Sequence, residues 1–177
     1  MRKLDELLKN VPTSGTFNKD PLEKKSMTAI QLVGGYNGFG VHTFLNINKS
    51  FPGLYKNFIF ISVAIIDQGL FKGEEGLDDL KKSVQESLVR YVDLARRLGF
   101  PAEYRMEVGT DVIDTATELC LKIGKEFPRS TVFTGKLSFR HEKFYHKLLH
   151  NETAYAIQRR LQWSGITNVI MPIRMEM

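Results

Sequence analysis

The chain has 177 residues, of which 42% are hydrophobic and 25% charged, and its formal net charge is +5 at pH 7. That balance is the one of an ordinary globular protein and that length suits one domain. The single cysteine, Cys120, excludes an internal disulfide framework and a thiolate metal cluster, and a reducing cytosolic setting fits it. The charge excess is modest and its cations are scattered over the helices, which argues against nucleic acid as a partner.

Residues 1–28 open with a short amphipathic segment, Leu4 to Leu8, and continue as a polar tail punctuated by Pro12, Gly15, Asn18, Asp20 and Pro21. Such composition reads as an arm or linker that the fold can do without, and residues 29–177 as the domain. No signal peptide is apparent at its start. The cations Arg2, Lys3, Lys9, Lys19, Lys24 and Lys25 could also lie on an anionic membrane surface.

Ala29 to Val33 reads as the first strand, followed by a loop from Gly34 to Gly40 and a short helix beginning near Val41. Phe58 to Ile66 is nearly continuously apolar, as a parallel strand buried on both faces must be. It is far too short to span a bilayer, which takes about 20 residues. Polar residues from Asp67 to Gly76 read as a loop. Leu77, Leu80, Val84, Leu88, Tyr91 or Val92, Ala95 and Leu98 then recur at helical spacing until Gly99 and Pro101 stop them. Ala102 to Val108 alternates as an edge strand does.

Thr110 or Asp111 can cap the next helix, whose inner face is Val112, Ala116, Leu119, Cys120, Ile123 and Phe127. Thr131 to Thr134 forms the fourth strand and breaks at Gly135. A basic and aromatic segment leads from there to a helix spanning Asn151 to Trp163, with Gly165 at its C-terminal cap. Thr167 to Ile173 is the last strand. The sum is an α/β fold, a doubly wound five-stranded parallel sheet of order 3-2-1-4-5.

In that order the topological switch point falls between the first and fourth strands, where ligands of open α/β sheets bind. The candidate ligand-binding residues are therefore Gly34, Gly35, Asn37 and Gly38 after strand one, Asp67 after strand two, and Gly135, Ser138, Arg140, Lys143, Asn151 and Thr153 around the fourth strand and the last helix.

Five alternating strands, a long second helix and a glycine directly after strand four resemble the universal stress protein family, over about residues 29 to 174. In that family's nucleotide-binding members strand four runs into Gly-x-x-Gly, a spacer and Gly-Ser or Gly-Thr, whose backbone amides hold phosphates. An aspartate after strand one meets the base. Here Gly135 matches the first glycine and Ser138 stands where the second should be. Asn151-Glu152-Thr153 replaces the closing pair, and Gly34-Gly35-Tyr36 takes the aspartate's place. The resemblance thus implies a degenerate nucleotide site and no resident cofactor. The strand order still leaves a cleft between Gly34–Gly40 and Gly135–Arg140. The last strand, apolar and at a sheet edge, predicts a homodimer joined through it, which the resemblance supports.

Phe58-Ile-Phe-Ile-Ser-Val63, Tyr91-Val-Asp-Leu-Ala-Arg-Arg-Leu-Gly99, Glu103-Tyr-Arg105 and Leu149-His-Asn-Glu-Thr-Ala-Tyr-Ala-Ile-Gln-Arg-Arg-Leu-Gln-Trp163 resemble the cytosolic C-terminal domain of bacterial amino acid permeases. These belong to the amino acid–polyamine–organocation superfamily. That resemblance implies a non-catalytic regulatory or ligand-sensing domain, with residues 1–28 as a juxtamembrane linker and the transporter's membrane domain as partner. Its place would be the cytoplasm, at the inner face of the inner membrane. The alternative is a nucleotide-binding universal stress protein or a nucleotide-dependent enzyme.

Other constellations are weaker. Gly35, Gly38 and Gly40 reverse the spacing of a dinucleotide fingerprint. His146 and His150 lie one helical turn apart, with His141 and Glu142 near, and form no known zinc pattern. No catalytic residue can be named, so the expectation is that the protein is not an enzyme.

Overall fold

The computed structural model describes residues 17–66, 73–136 and 151–172. The segment Leu4 to Leu8, the candidate residues Asp67, Ser138, Arg140 and Lys143, and the histidines His141, His146 and His150 lie outside them. The strands are β1 (Thr28–Leu32), β2 (Asn57–Ile65), β3 (Ala102–Gly109), β4 (Ser130–Lys136) and β5 (Thr167–Pro172). The helices are α1 (Gly38–Ser50), α2 (Gly73–Arg97), α3 (Val112–Glu126) and α4 (Asn151–Trp163). The strands form an all-parallel sheet of order β3-β2-β1-β4-β5, as the alternation of elements predicts.

Each strand carries two sets of side chains, and each set meets its own helical layer. Ala29, Phe58, Phe60 and Phe133 face α1 and α2, where they pack with Phe44, Ile47, Leu88 and Tyr91. Ile30, Ile59, Ile61 and Val132 face α3 and α4, where they meet Leu119, Cys120, Ile123, Ile157 and Leu161. The parallel register Ala29↔Phe58 and Ile30↔Ile59 keeps each set on one side. Phe44 binds this core by its ring edge, 4.9 Å from the Phe58 centroid.

Two helices begin earlier than the sequence pattern suggests. Asn37 is the N-cap of α1, and its side-chain oxygen accepts from the Gly40 amide at 2.9 Å. Gly38 and Gly40 are therefore first-turn residues of α1, not loop. The cap outweighs the low helix propensity of two glycines, because it satisfies an amide that would otherwise be unpaired. Likewise α2 starts at Gly73, inside the stretch read as a polar loop. Asp111 caps α3 as expected, accepting from the Asp114 amide at 2.8 Å. Gly165 has φ +76°, the left-handed conformation that ends α4.

Residues 17–27 of the stretch read as an arm run along the edge where the strands start. The Asn18 amide donates to Arg96 O at 2.9 Å and its side chain to Gly99 O at 3.0 Å. Leu22 packs against the α3–α4 core. The buried Asn57 clips the segment down: its Nδ2 donates to Glu23 O at 2.7 Å, and its Oδ1 accepts from the Glu23 amide at 3.2 Å.

Candidate functional site

The switch point lies at the C-terminal ends of β1 and β4, which pair directly through Ala29↔Thr131, Ile30↔Val132 and Gln31↔Phe133. Val33 to Asn37 leaves β1 and enters α1, which packs on β4 and β5. This brings the glycines of both loops together, and the protein's own aromatic side chains occupy the space they leave.

Gly135 lies under the ring of Phe39. A Cβ at Gly135 would overlap Phe39 Cζ and Cε1 and come within 3.1 Å of Thr43 Oγ1. Thr43 is held in turn, its hydroxyl donating to Phe39 O at 3.0 Å. Gly40 stands in the same relation to Tyr91, since a Cβ there would land on the phenol oxygen. Both glycines therefore serve close packing of helix on strand and helix on helix.

Tyr91 also ties down the loop. Its hydroxyl donates to Gly35 O at 3.0 Å and accepts from the Asn37 amide at 3.4 Å. Its ring stacks on Phe60 with centroids 5.3 Å apart. Burial pushes the Tyr91 phenol well above its usual range, so it stays a neutral donor. Tyr36 lies 4.8 Å from the Tyr91 ring, and the Arg90 guanidinium sits 3.9 Å over the Tyr36 ring. Burial raises the Tyr36 phenol too, with Arg90 opposing it. The Gln31 side chain reaches across to Gly40 O at 2.8 Å.

The candidate residues thus divide. Asn37 spends its side chain on the α1 cap, and Gly38 is buried in the first turn of that helix. Gly34 and Gly35 remain half-buried, and a Cβ on Gly35 would meet open space. Gly135 joins them only through Phe39. Asn151 and Thr153 open α4, on the opposite face of the sheet, where Thr153 lines a shallow groove with Ile113, Glu152 and Ala156. Among the described residues no group of three or more His, Cys, Asp or Glu could hold a metal.

Phe39 and Tyr91, which decide the shape of this site, carry no local sign of that role in the sequence. The one available signal is pairing by size, a glycine opposite a large ring, and that pairing exists only between elements distant in sequence. Thr134 and Asn168 were missed as well. Thr134 Oγ1 and both side-chain polar atoms of Asn168 are buried without a hydrogen-bond partner among the described residues.

The fold places the chain in a definite structural class. It is similar to a universal stress protein from Burkholderia pseudomallei, with TM-score 0.57 and 13% identity over 86% of this chain and 100% of that one. It is similar also to a universal stress protein from Archaeoglobus fulgidus, with TM-score 0.55 and 12% identity over 85% of this chain and 95% of that one. A third, a universal stress protein in complex with cAMP, aligns with TM-score 0.53 and 15% identity over 85% of this chain and 98% of that one. The domain is universal stress protein-like in fold. No protein-family model matches the sequence, and no curated protein matches it.

Proposed function

We propose that this chain is a non-catalytic, ligand-sensing or regulatory domain that serves an amino acid permease-type transporter from the cytoplasmic side. The observation that carries the non-catalytic, non-nucleotide reading is the filling of the switch point. Gly40 and Gly135, where a phosphate would need bare backbone, are covered by Tyr91 and Phe39. Among the described residues, what remains accessible is the Gly34–Gly35 turn, a hydrogen-bonding surface. The transporter is supported by the permease-like runs at Phe58–Val63, Tyr91–Gly99 and Leu149–Trp163. Calorimetry with ATP, ADP, AMP and cAMP tests the site. The expected result is no dissociation constant below about 10 μM, roughly −7 kcal/mol.

A second reading, a nucleotide-binding protein, is favoured by the likeness in fold to the universal stress protein solved with cAMP. A tight nucleotide complex in the same titration would select it and remove the first. The proposed assembly is a homodimer through β5, an edge strand of the sheet. Pro172 at its end lacks an amide, so side-chain packing about a two-fold axis carries much of the contact. A monomer by sedimentation at tens of micromolar would refute it.

A further inference from the structure

The edge of the sheet where the strands begin, opposite the switch point, collects charge and apolar side chains that the sequence scatters. Residues 17–27 run along it. The Arg129 guanidinium donates to Lys25 O at 3.3 Å, the Thr28 amide donates to Arg129 O at 3.0 Å, and the Lys56 amide donates to Met27 O at 2.9 Å. Lys24, Lys25, Lys56 and Arg129 therefore belong to one cluster, and all are exposed. Lys24 faces Glu126 at 3.4 Å, and Asp20 and Glu23 are the exposed acids of the segment.

Cations in the last turns of helices complement the helix dipole, which accounts for Lys49, Arg97 and Lys125. It does not account for the four above, which lie in connections. Among the described residues, the helix starts at the other end carry the exposed acids Asp111, Asp114 and Glu152, with Asp114 paired to Arg160.

The same edge holds three of the five large apolar side chains exposed among the described residues. They are Trp163, 90% exposed, with Leu54 at 43% and Phe17 at 39%. Trp163 ends α4, and the turn after it brings Ile166 against Gly124, beside Ser130. Leu54 lies two residues before Lys56. Trp163 is the chain's single tryptophan.

We propose that this strand-start edge docks on an anionic lipid surface, with Lys24, Lys25, Lys56 and Arg129 meeting the headgroups and Trp163 entering the interface. Tryptophan prefers the boundary between headgroups and acyl chains, and lysine and arginine clusters are drawn to anionic lipid. A nucleic acid would satisfy the cations yet leave Leu54 and Phe17 in water, so the apolar components favour the bilayer. The proposal goes beyond the sensing role and is independent of any ligand at the switch point.

The chain's one tryptophan makes the test direct. The whole protein is mixed with vesicles of phosphatidylcholine alone, or with about 30% phosphatidylglycerol, and both tryptophan emission and co-sedimentation are read. The expected result is a blue shift and co-sedimentation with the anionic vesicles only. Lys24→Glu with Lys25→Glu, and separately Lys56→Glu, should each weaken partitioning, the pair by at least about tenfold, with circular dichroism and melting temperature unchanged. Trp163→Ala should weaken co-sedimentation as well. Absence of a blue shift, equal binding to neutral vesicles, or binding indifferent to these substitutions would overturn the proposal. So would binding to a DNA duplex with the same dependence on Lys24 and Lys25 and no response to lipid.

Discussion

Replacing Gly135 with alanine isolates the contact that closes the switch point. Gly135 does not have a positive φ, so alanine fits its backbone, and in a strand that exchange would by itself stabilise by roughly 0.5–1 kcal/mol. The added Cβ, however, would fall on Phe39 Cζ and Cε1, with Thr43 Oγ1 at 3.1 Å behind. Phe39 is only 6% exposed, so its ring cannot swing into solvent without losing burial. Overpacking of this kind costs about 1–3 kcal/mol. For a domain of this size that is a fall in melting temperature of about 2–12 °C. Phe39→Leu, which shortens the obstructing side chain, should cost about 1 kcal/mol alone. Combined with Gly135→Ala it should recover at least about 1 kcal/mol of coupling, since the two changes share one space. Urea titrations of the wild type, both single variants and the double variant measure this cycle. Additive costs, or a Gly135→Ala protein as stable as the wild type, would show that the ring does not fill the site.

Asn57→Ala removes the clip on residues 23–28 and leaves Glu23 O and the Thr28 hydroxyl short of a donor, at a cost of about 1–3 kcal/mol in chemical denaturation. Truncating the chain before Thr28 should lower the melting temperature by more than about 5 °C, because Leu22 burial goes as well; an unchanged value would show that residues 17–27 merely lie alongside. Burial pushes the Cys120 thiol from 9.0 up to about 12, so thiol reagents should label it only as fast as the domain opens. The raised folded value means the neutral thiol favours the native state. Its contribution is complete below pH 9 and is lost between pH 9 and about 12, which a stability–pH series in that range would detect against Cys120→Ala.

The arrangement of elements was legible in the sequence because burial on both faces writes itself into composition. Phe58 to Ala64 is apolar except at Ser62, Leu77 to Leu98 repeats at helical spacing, and Asp111 and Gly165 mark ends of helices by chemistry that acts within a few residues. Those local signals, with the handedness of crossovers, leave few strand orders, of which the sheet adopts β3-β2-β1-β4-β5. They also located the switch point. What they could not show is what fills it. Glycine in a sequence signals close approach without naming the approaching group. Gly135, which matches the first glycine of the resembled phosphate loop, and Gly40 are closed by Phe39 and by Tyr91, the latter 51 positions from Gly40. The contacts of residues 17–27 are hidden from the sequence for a related reason. Asn18, Leu22 and Glu23 find their partners at Arg96, in the α3–α4 core and at Asn57, so local composition carries no trace of them. Cations counted along the chain looked dispersed, and only the parallel winding, which returns every connection before a strand to the same edge, sets Lys25 beside Arg129 and Met27 beside Lys56. Properties that depend on neighbours in sequence were settled by the sequence; those that depend on which distant groups meet were settled by the sheet.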